Sequence, residues 1–307
     1  MSGERNDIAK SLISIVGPTA VGKTAISIKL AKELDTEIIS ADSRQYYKEM
    51  EIGTAKPTSS ERSQAKHHFI NSLTITQEYN AGTFETEALA LLEEIFKLKN
   101  QVIMTGGSGL YCKAVWEGFD ELPKVDTAIR ETLNHELKTY GLDHLVAELF
   151  NKDPEYYEMV DKNNPQRVVR ALEVIRTTGK TFTSFRKNQG GKSRFFKNIK
   201  IGLTLERDEL YRRIDERMDA MISGGLFKEA ERLYPFRRLN ALQTVGYSEI
   251  FDYLDGIYDY EEAVRLLKRN SRRYAKRQLT WFKRDEEIRW FSPDDYEDLK
   301  WYVLANC

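Results

Sequence analysis

The run Gly17-Pro18-Thr19-Ala20-Val21-Gly22-Lys23-Thr24 has the spacing G-x-x-x-x-G-K-[ST] of a phosphate-binding loop. Gly17 and Gly22 let backbone N–H groups turn inward toward an anion, and the start of a helix adds partial positive charge. Lys23 supplies a full charge, and the Thr24 hydroxyl suits Mg²⁺. An apolar run at 12–16 precedes the loop and a helix-like run at 25–34 follows it, the strand–loop–helix context that the motif needs. The pattern implies a bound polyphosphate without distinguishing ATP, GTP or another diphosphate.

Asp42 follows the short apolar strand at 37–40, so its carboxylate faces the phosphate site as an Mg²⁺ ligand or a general base; a turn or helix-capping role is the plain alternative. The strand at 101–105 ends in Thr105 before Gly106-Gly107-Ser108-Gly109 and offers no aspartate, so the usual Walker-B position is vacant. Arg213 and Arg217 lie four apart and share a helical face. They suit a bidentate clamp on a diphosphate. Pairing with Asp215, Glu216 and neighbouring acids as a solvated surface is the reading that spacing alone favours. Gln166 and Arg170 share a face suited to a base edge, while Glu173 and Arg176 suggest a local pair. His67 and His68 are adjacent and lack partners at ligand spacing, so they are read as structural.

These groups must be positioned by a larger framework. The chain has 307 residues and a net charge of -1, enough for a large core and too balanced for a uniformly basic nucleic-acid binder. Residues 268–284 nevertheless carry eight Lys or Arg and no Asp or Glu. In that block Arg273, Lys276 and Arg277 suit a polyanion, with Tyr274, Leu279, Trp281 and Phe282 mostly buried. Only Cys112 and Cys307 carry thiols, which fits a reducing, cytoplasmic setting and no zinc site. Residues 1–7 are polar and lack the apolar core of a signal peptide, and no run approaches membrane-spanning length.

Alternating strands and helices in 1–119 predict an α/β fold, a P-loop parallel sheet with ligands at the carboxyl ends of its strands. Residues 60–80 read as irregular, 84–98 as a helix, and 120–197 as a mainly helical insertion with a basic loop at 186–197. The core resumes over 198–307, with a strand at 198–205, helices over 208–234 and 258–284, and a last edge strand at 288–291.

Taken together, these segments resemble the tRNA dimethylallyltransferases, also called tRNA isopentenyltransferases. The match runs through the phosphate loop, Ser40-Ala41-Asp42-Ser43-Arg44-Gln45-Tyr46-Tyr47 and Met50-Glu51-Ile52-Gly53-Thr54-Ala55-Lys56-Pro57. It continues in Gly106-Gly107-Ser108-Gly109-Leu110-Tyr111, Asn164-Pro165-Gln166-Arg167-Val168-Val169-Arg170-Ala171-Leu172-Glu173, Val245-Gly246-Tyr247 and the 273–282 block. The family usually has threonine where this chain has Ser108, which keeps the hydroxyl; without a C-terminal zinc finger, the chain looks like the bacterial form.

The resemblance implies transfer of a dimethylallyl group from dimethylallyl diphosphate to N6 of the adenosine 3′ of the tRNA anticodon. It places the donor diphosphate on Gly17, Pro18, Thr19, Ala20, Val21, Gly22, Lys23 and Thr24, with Arg213 assisting and Mg²⁺ on Thr24. It makes Asp42 the base, puts Ser108 beside the adenine, and assigns Arg217 to the departing diphosphate. For tRNA contact it implies Asp42, Ser43, Arg44, Gln45, Ser108, Arg130, Gln166, Arg167, Val168, Val169 and Arg170. Gln243, Thr244, Val245, Gly246, Tyr247 and Ser248 join them, with the helical insertion gripping the anticodon stem-loop. A cytoplasmic monomer is expected. Three other readings share the loop: a small-molecule or nucleoside kinase using ATP, an isopentenyltransferase acting on free adenine nucleotide, and a non-enzymatic P-loop RNA-binding protein.

Overall fold

The computed structural model describes residues 10–120, 122–186 and 192–307. The polar N-terminal run and part of the basic loop at 186–197 lie outside the described residues. Two compact units emerge, one formed by Met1–Trp116 with Arg194–Cys307 and the other by Glu117–Ser193.

In the first unit, β1 (Ser11–Val16), β2 (Ile38–Ser40), β3 (His67–His68), β4 (Gln101–Gly106), β5 (Lys197–Leu203) and β6 (Arg289–Phe291) form one parallel sheet. Its order is β3-β2-β4-β1-β5-β6. Central β1 is buried along its whole length, as a strand covered on both faces must be. Ile13 and Ile15 face one layer, with α1 (Lys23–Glu33), and Leu12 and Val16 the other, with α3 (Ala81–Ile95). This alternation is the two-residue period of a strand. Ser11 and Ser14 are the polar residues of the strand; the Ser14 hydroxyl donates to Asn198 Oδ1 and accepts from Trp116 Nε1.

The stretch 60–80, expected to be irregular, instead contains α2 (Ser59–Gln64) and edge strand β3. Thr58 and Glu61 form a reciprocal capping box there, a signal worth about 1 kcal/mol that turn-forming neighbours obscured. After β4, α4 (Gly109–Glu117) joins the α3 layer.

The second unit holds α5 (Thr127–Tyr140), α6 (Leu142–Lys152), α7 (Pro154–Met159) and α8 (Pro165–Thr178). Leu133, Leu145, Leu149, Val168, Leu172 and Ile175 form its own core. Asn164 caps α8 by accepting from Arg167 N, with Pro165 at the first turn. Arg176 on α8 bridges Glu136 of α5 and Glu148 of α6, tying three helices together.

Back in the first unit, the single helical stretch expected over 208–234 breaks into α9 (Arg207–Ser223) and α10 (Leu226–Leu233). Gly225 makes the break at φ +101°, a conformation few side-chain-bearing residues adopt. Then come α11 (Ser248–Leu254), the long α12 (Tyr260–Phe282) and α13 (Tyr296–Asn306), whose Leu299 and Val303 enter the core beside α1. Among the described residues, no helix is long and apolar enough to cross a membrane.

The carboxyl ends of the strands converge unusually closely. A Cβ on Gly106 would stand 2.2 Å from the Ala41 carbonyl oxygen, and one on Gly17 would stand 2.6 Å from that of Leu203. Gly106→Ala should therefore lower stability by about 1–3 kcal/mol, the usual cost of overpacking. Thermal unfolding of the purified variant reads this directly, and an unchanged midpoint would contradict the close approach.

Candidate active site

A cavity of about 380 Å³ opens at these strand ends. Thr19, Lys23 and Thr24 line it from the phosphate loop, Asp42 from the end of β2, Arg217 from α9, and Tyr274 and Gln278 from α12. The loop takes its shape from Gly17, Ala20 and Gly22, all at positive φ (146°, 63° and 100°), while buried Val21 pins it to the core. Gly22 gives α1 no side-chain cap, so the first-turn N–H groups remain for an anion. Lys23 Nζ donates to the carbonyls of Gly17 (3.0 Å) and Pro18 (2.7 Å), which draws the ammonium over its own loop.

Burial, reinforced by the nearby Arg217 guanidinium, lowers the Lys23 pKa to about 8. Burial also lowers that of Arg217, with Asp42 opposing the shift. Two cations thus share a site with one carboxylate. For Asp42 itself, burial raises the pKa, partly offset by a hydrogen bond from Arg44 N and by Lys23, Arg44 and Arg217. That bond, 3.0 Å to Oδ1, also orients the carboxylate. A carboxylate raised in this way is a better proton acceptor than one on the surface.

Ser108 stands beside it. Its Oγ accepts from Ser43 N at 2.8 Å, and it hydrogen-bonds Tyr274. Burial, together with the Asp42 charge, pushes the Tyr274 phenol up, so this hydroxyl keeps its proton. Gln278 spans two loops with one amide: Oε1 accepts from Thr19 N (2.9 Å) and Nε2 donates to Gly107 O (3.0 Å). The aromatics of this block are expected to be mostly buried, yet the structure puts Tyr274 on the cavity wall together with Gln278. The available signal was helical spacing, since Ser271, Tyr274 and Gln278 form the one uncharged face of a basic helix and all line the cavity. Cys112, on α4, is buried near Lys23 and Asp42, and burial pushes its thiol up to about 12.

Other expected site residues sort into four groups. Arg44, Gln45, Thr244, Val245 and Gly246 line the cavity. Gln45 is fixed there by Ser40 Oγ, which donates to its Oε1, and by its own amide, which donates to Thr54 O. Gln243 and Ser248 bond to local carbonyls, of Arg237 and Thr244 respectively. Arg273, Lys276 and Arg277 are exposed on α12 and line a shallow depression with Thr280, Trp281 and Arg284. In the second unit Gln166 and Arg167 are exposed, while Arg130 and Arg170 flank the buried carboxylate of Glu173.

Four expectations change. Arg213 does not line the cavity, because Glu209 one turn earlier captures its Nε at 2.6 Å. For Arg213 the salt-bridged-surface reading therefore holds, with Glu209 as the partner, while Asp215 and Glu216 pair with Arg272 and Arg212. Val168 and Val169 point into the helical core, where aliphatic burial outweighs any ligand contact. Tyr247 is wholly buried and donates to Glu229 at 2.6 Å, so its side chain builds the site from behind. Glu173 pairs with Arg130 and Arg170 rather than Arg176, which the two glutamates of α5 and α6 hold.

Among the described residues, no group of three or more His, Cys, Asp or Glu could hold a metal. Mg²⁺ does not require one: it keeps several waters and is commonly held by one or two protein oxygens plus substrate phosphates. The Thr24 hydroxyl in a phosphate-binding cavity fits that donor set.

The family pattern described as IPP transferase matches residues 45–285. A tRNA dimethylallyltransferase of Cytophaga hutchinsonii is 52% identical, covering 97% of this chain and 98% of its own. The solved full-length tRNA isopentenylpyrophosphate transferase of Bacillus halodurans superposes with a TM-score of 0.71 at 38% identity, covering 97% of this chain and 96% of that one. A eukaryotic dimethylallyltransferase acting on tRNA superposes with a TM-score of 0.77 at 26% identity, covering 97% and 79%.

Burial brings the Lys23 pKa down to about 8, and a bound diphosphate favours the charged form. Above that pH, affinity for an alkyl diphosphate should fall by up to about tenfold per pH unit as the ammonium loses its proton. Calorimetric titration across that range tests this. Lys23→Met should bind weakly and lose the pH dependence; a variant that retained it would move the titrating group elsewhere.

Proposed function

The chain belongs to the IPP transferase family of tRNA dimethylallyltransferases, and from that premise we propose the division of labour among its residues. It is a prenyl-transferring enzyme that moves a dimethylallyl group from dimethylallyl diphosphate to tRNA. The acceptor is N6 of the adenosine 3′ of the anticodon. The observation that carries this reading is a single cavity in which the cationic phosphate loop faces Asp42 and Tyr274, with Ser108 hydrogen-bonded to Tyr274 beside it. A kinase or a free-nucleotide enzyme shares the loop, but the relatives are named for tRNA.

The donor diphosphate rests on the N–H groups of the 17–24 loop, against Lys23 and Arg217. Adenine, taken out of the base stack as enzymes acting on a base require, lies by Ser108 and Tyr274. N6 attacks the allylic carbon; the C–N bond forms as the C–O bond breaks, and its electron pair leaves on the diphosphate. The N6 proton passes to Asp42. An exocyclic amine is a poor nucleophile because its lone pair is delocalised, so a positioned base speeds the step by about 10²–10⁴-fold. Lys23 and Arg217 stabilise the growing negative charge on the departing diphosphate. Mg²⁺, held by Thr24 and the phosphates, would add further charge neutralisation.

Arg273, Lys276 and Arg277 meet tRNA phosphates, and the 243–246 segment and Arg44 flank the target nucleotide. Arg130, Gln166, Arg167 and Arg170 give the helical unit its own polar contact surface. We place the enzyme in the cytoplasm, acting as a monomer.

Incubation with labelled dimethylallyl diphosphate, AMP and unmodified tRNA tests the assignment: label should enter tRNA, and label in AMP alone would reject it. Asp42→Ala should lose about 10²-fold or more in turnover while still binding tRNA. Lys276→Ala should spare turnover at saturating tRNA and reduce the slope of log affinity against log salt by about one ion.

A further inference from the structure

The segment Glu51-Ile52-Gly53 presents three consecutive backbone N–H groups to one buried carboxylate. Glu229 Oε2 accepts from Glu51 N (3.1 Å) and Ile52 N (2.9 Å), and Oε1 accepts from Gly53 N (2.9 Å) and the Tyr247 hydroxyl (2.6 Å). Glu229 is 1% exposed, and only a carboxylate side chain offers two acceptor oxygens to such a set of donors. The clamp is tight. A Cβ on Gly53 would stand 2.4 Å from the Tyr247 ring. On the other flank Lys56 Nζ donates to Tyr47 O and Asn71 Oδ1, both at 2.6 Å.

The clamped stretch continues directly into Gly53, Thr54, Ala55 and Pro57, which form part of the cavity wall. Met218, Met221 and Leu226 contribute apolar lining to the same cavity, and Leu226 lies on the same helix as Glu229, one turn before it. The charged loop and the Asp42 group take the polar parts of the two substrates; this apolar region is what remains for a hydrocarbon chain.

We propose that Glu229 is a positioning residue that sets prenyl-chain length: by fixing the 51–53 backbone it holds the 53–57 wall where a five-carbon donor fits and a longer one does not. This rests on the prenyl-transfer reading above. Glu229→Gln keeps the volume but replaces one acceptor oxygen with an NH₂ group that faces backbone donors. Tyr247→Phe removes a single bond to the carboxylate and keeps the ring.

The test is kcat/KM for dimethylallyl and geranyl diphosphates with an anticodon stem-loop acceptor, for the native enzyme and both variants. The native enzyme should prefer the shorter donor. Glu229→Gln should narrow that preference by about tenfold or more, the scale on which a hydrophobic pocket discriminates chain length. Its KM for dimethylallyl diphosphate should rise more than its kcat falls. Tyr247→Phe should shift the ratio in the same direction by less. Variants that melt earlier yet keep the native ratio overturn the proposal, and if Glu229→Gln fails to fold, an unchanged ratio in Tyr247→Phe does so alone. A native enzyme that transfers neither group to the stem-loop rejects the prenyl-transfer reading itself.

Discussion

At the end of β4 the chain runs so close to Ala41 that Gly106 has no room for a side chain, and at the end of β1 Gly17 is pressed as closely against Leu203 O. The local ladder shows what this accomplishes. Ala41 N donates to Thr105 O at 2.7 Å, and Ser108 N reaches back to Ala41 O at 3.4 Å. The residue after Ala41 is Asp42, and the residue two after Gly106 is Ser108. The phosphate loop starts at Gly17, which pairs with the same region through β1. Three segments distant in sequence are brought to one spot by backbone contact, before any active-site side chain acts. Gln278 then ties two of them together with a single amide.

Within that spot the electrostatics are deliberately unbalanced. Lys23 and Arg217 share one carboxylate, and burial works against the charged form of all three. A bound dianion relieves the mutual repulsion of the cations and leaves the carboxylate facing the acceptor. The Lys23 contacts to Gly17 O and Pro18 O keep the loop in its cradle shape beforehand, so little reorganisation accompanies binding.

The sequence made some of this legible and hid the rest for physical reasons. The phosphate loop is a local device: its function needs particular residues at fixed spacing on one turn of chain, so it reads directly. Asp42 was legible because strand ends in α/β folds are where ligands bind. Arg213 and Arg217 are identical in local pattern; only the glutamate at 209 and the packing of α9 decide that one faces Glu209 and the other the cavity. Tyr247 and Val169 were carried as contact residues because their segments match the family, yet a motif residue serves as well by packing behind a site as by touching a substrate. Glu229 was invisible, since nothing in Leu226–Leu233 announces that one of its acids accepts hydrogen bonds from a loop about 180 residues earlier. The helix and edge strand in 60–80 were masked by residues such as Asn71 at positive φ, which signal turns more strongly than two short elements signal themselves.

Cys112 acquires a meaning from its neighbours. An allylic diphosphate is an alkylating agent, and a thiolate is a far stronger nucleophile than an adenine amine. A reactive sulfur near Lys23 and Asp42 would consume the enzyme by S-prenylation, one molecule of donor per molecule of protein. Packed out of solvent on α4, where burial favours the protonated form, the sulfur is held as the weaker nucleophile, a thiol. Cys112 also does not line the cavity, so among the described residues the wall that faces an alkylating donor carries hydroxyls, amides and carboxylates but no thiol.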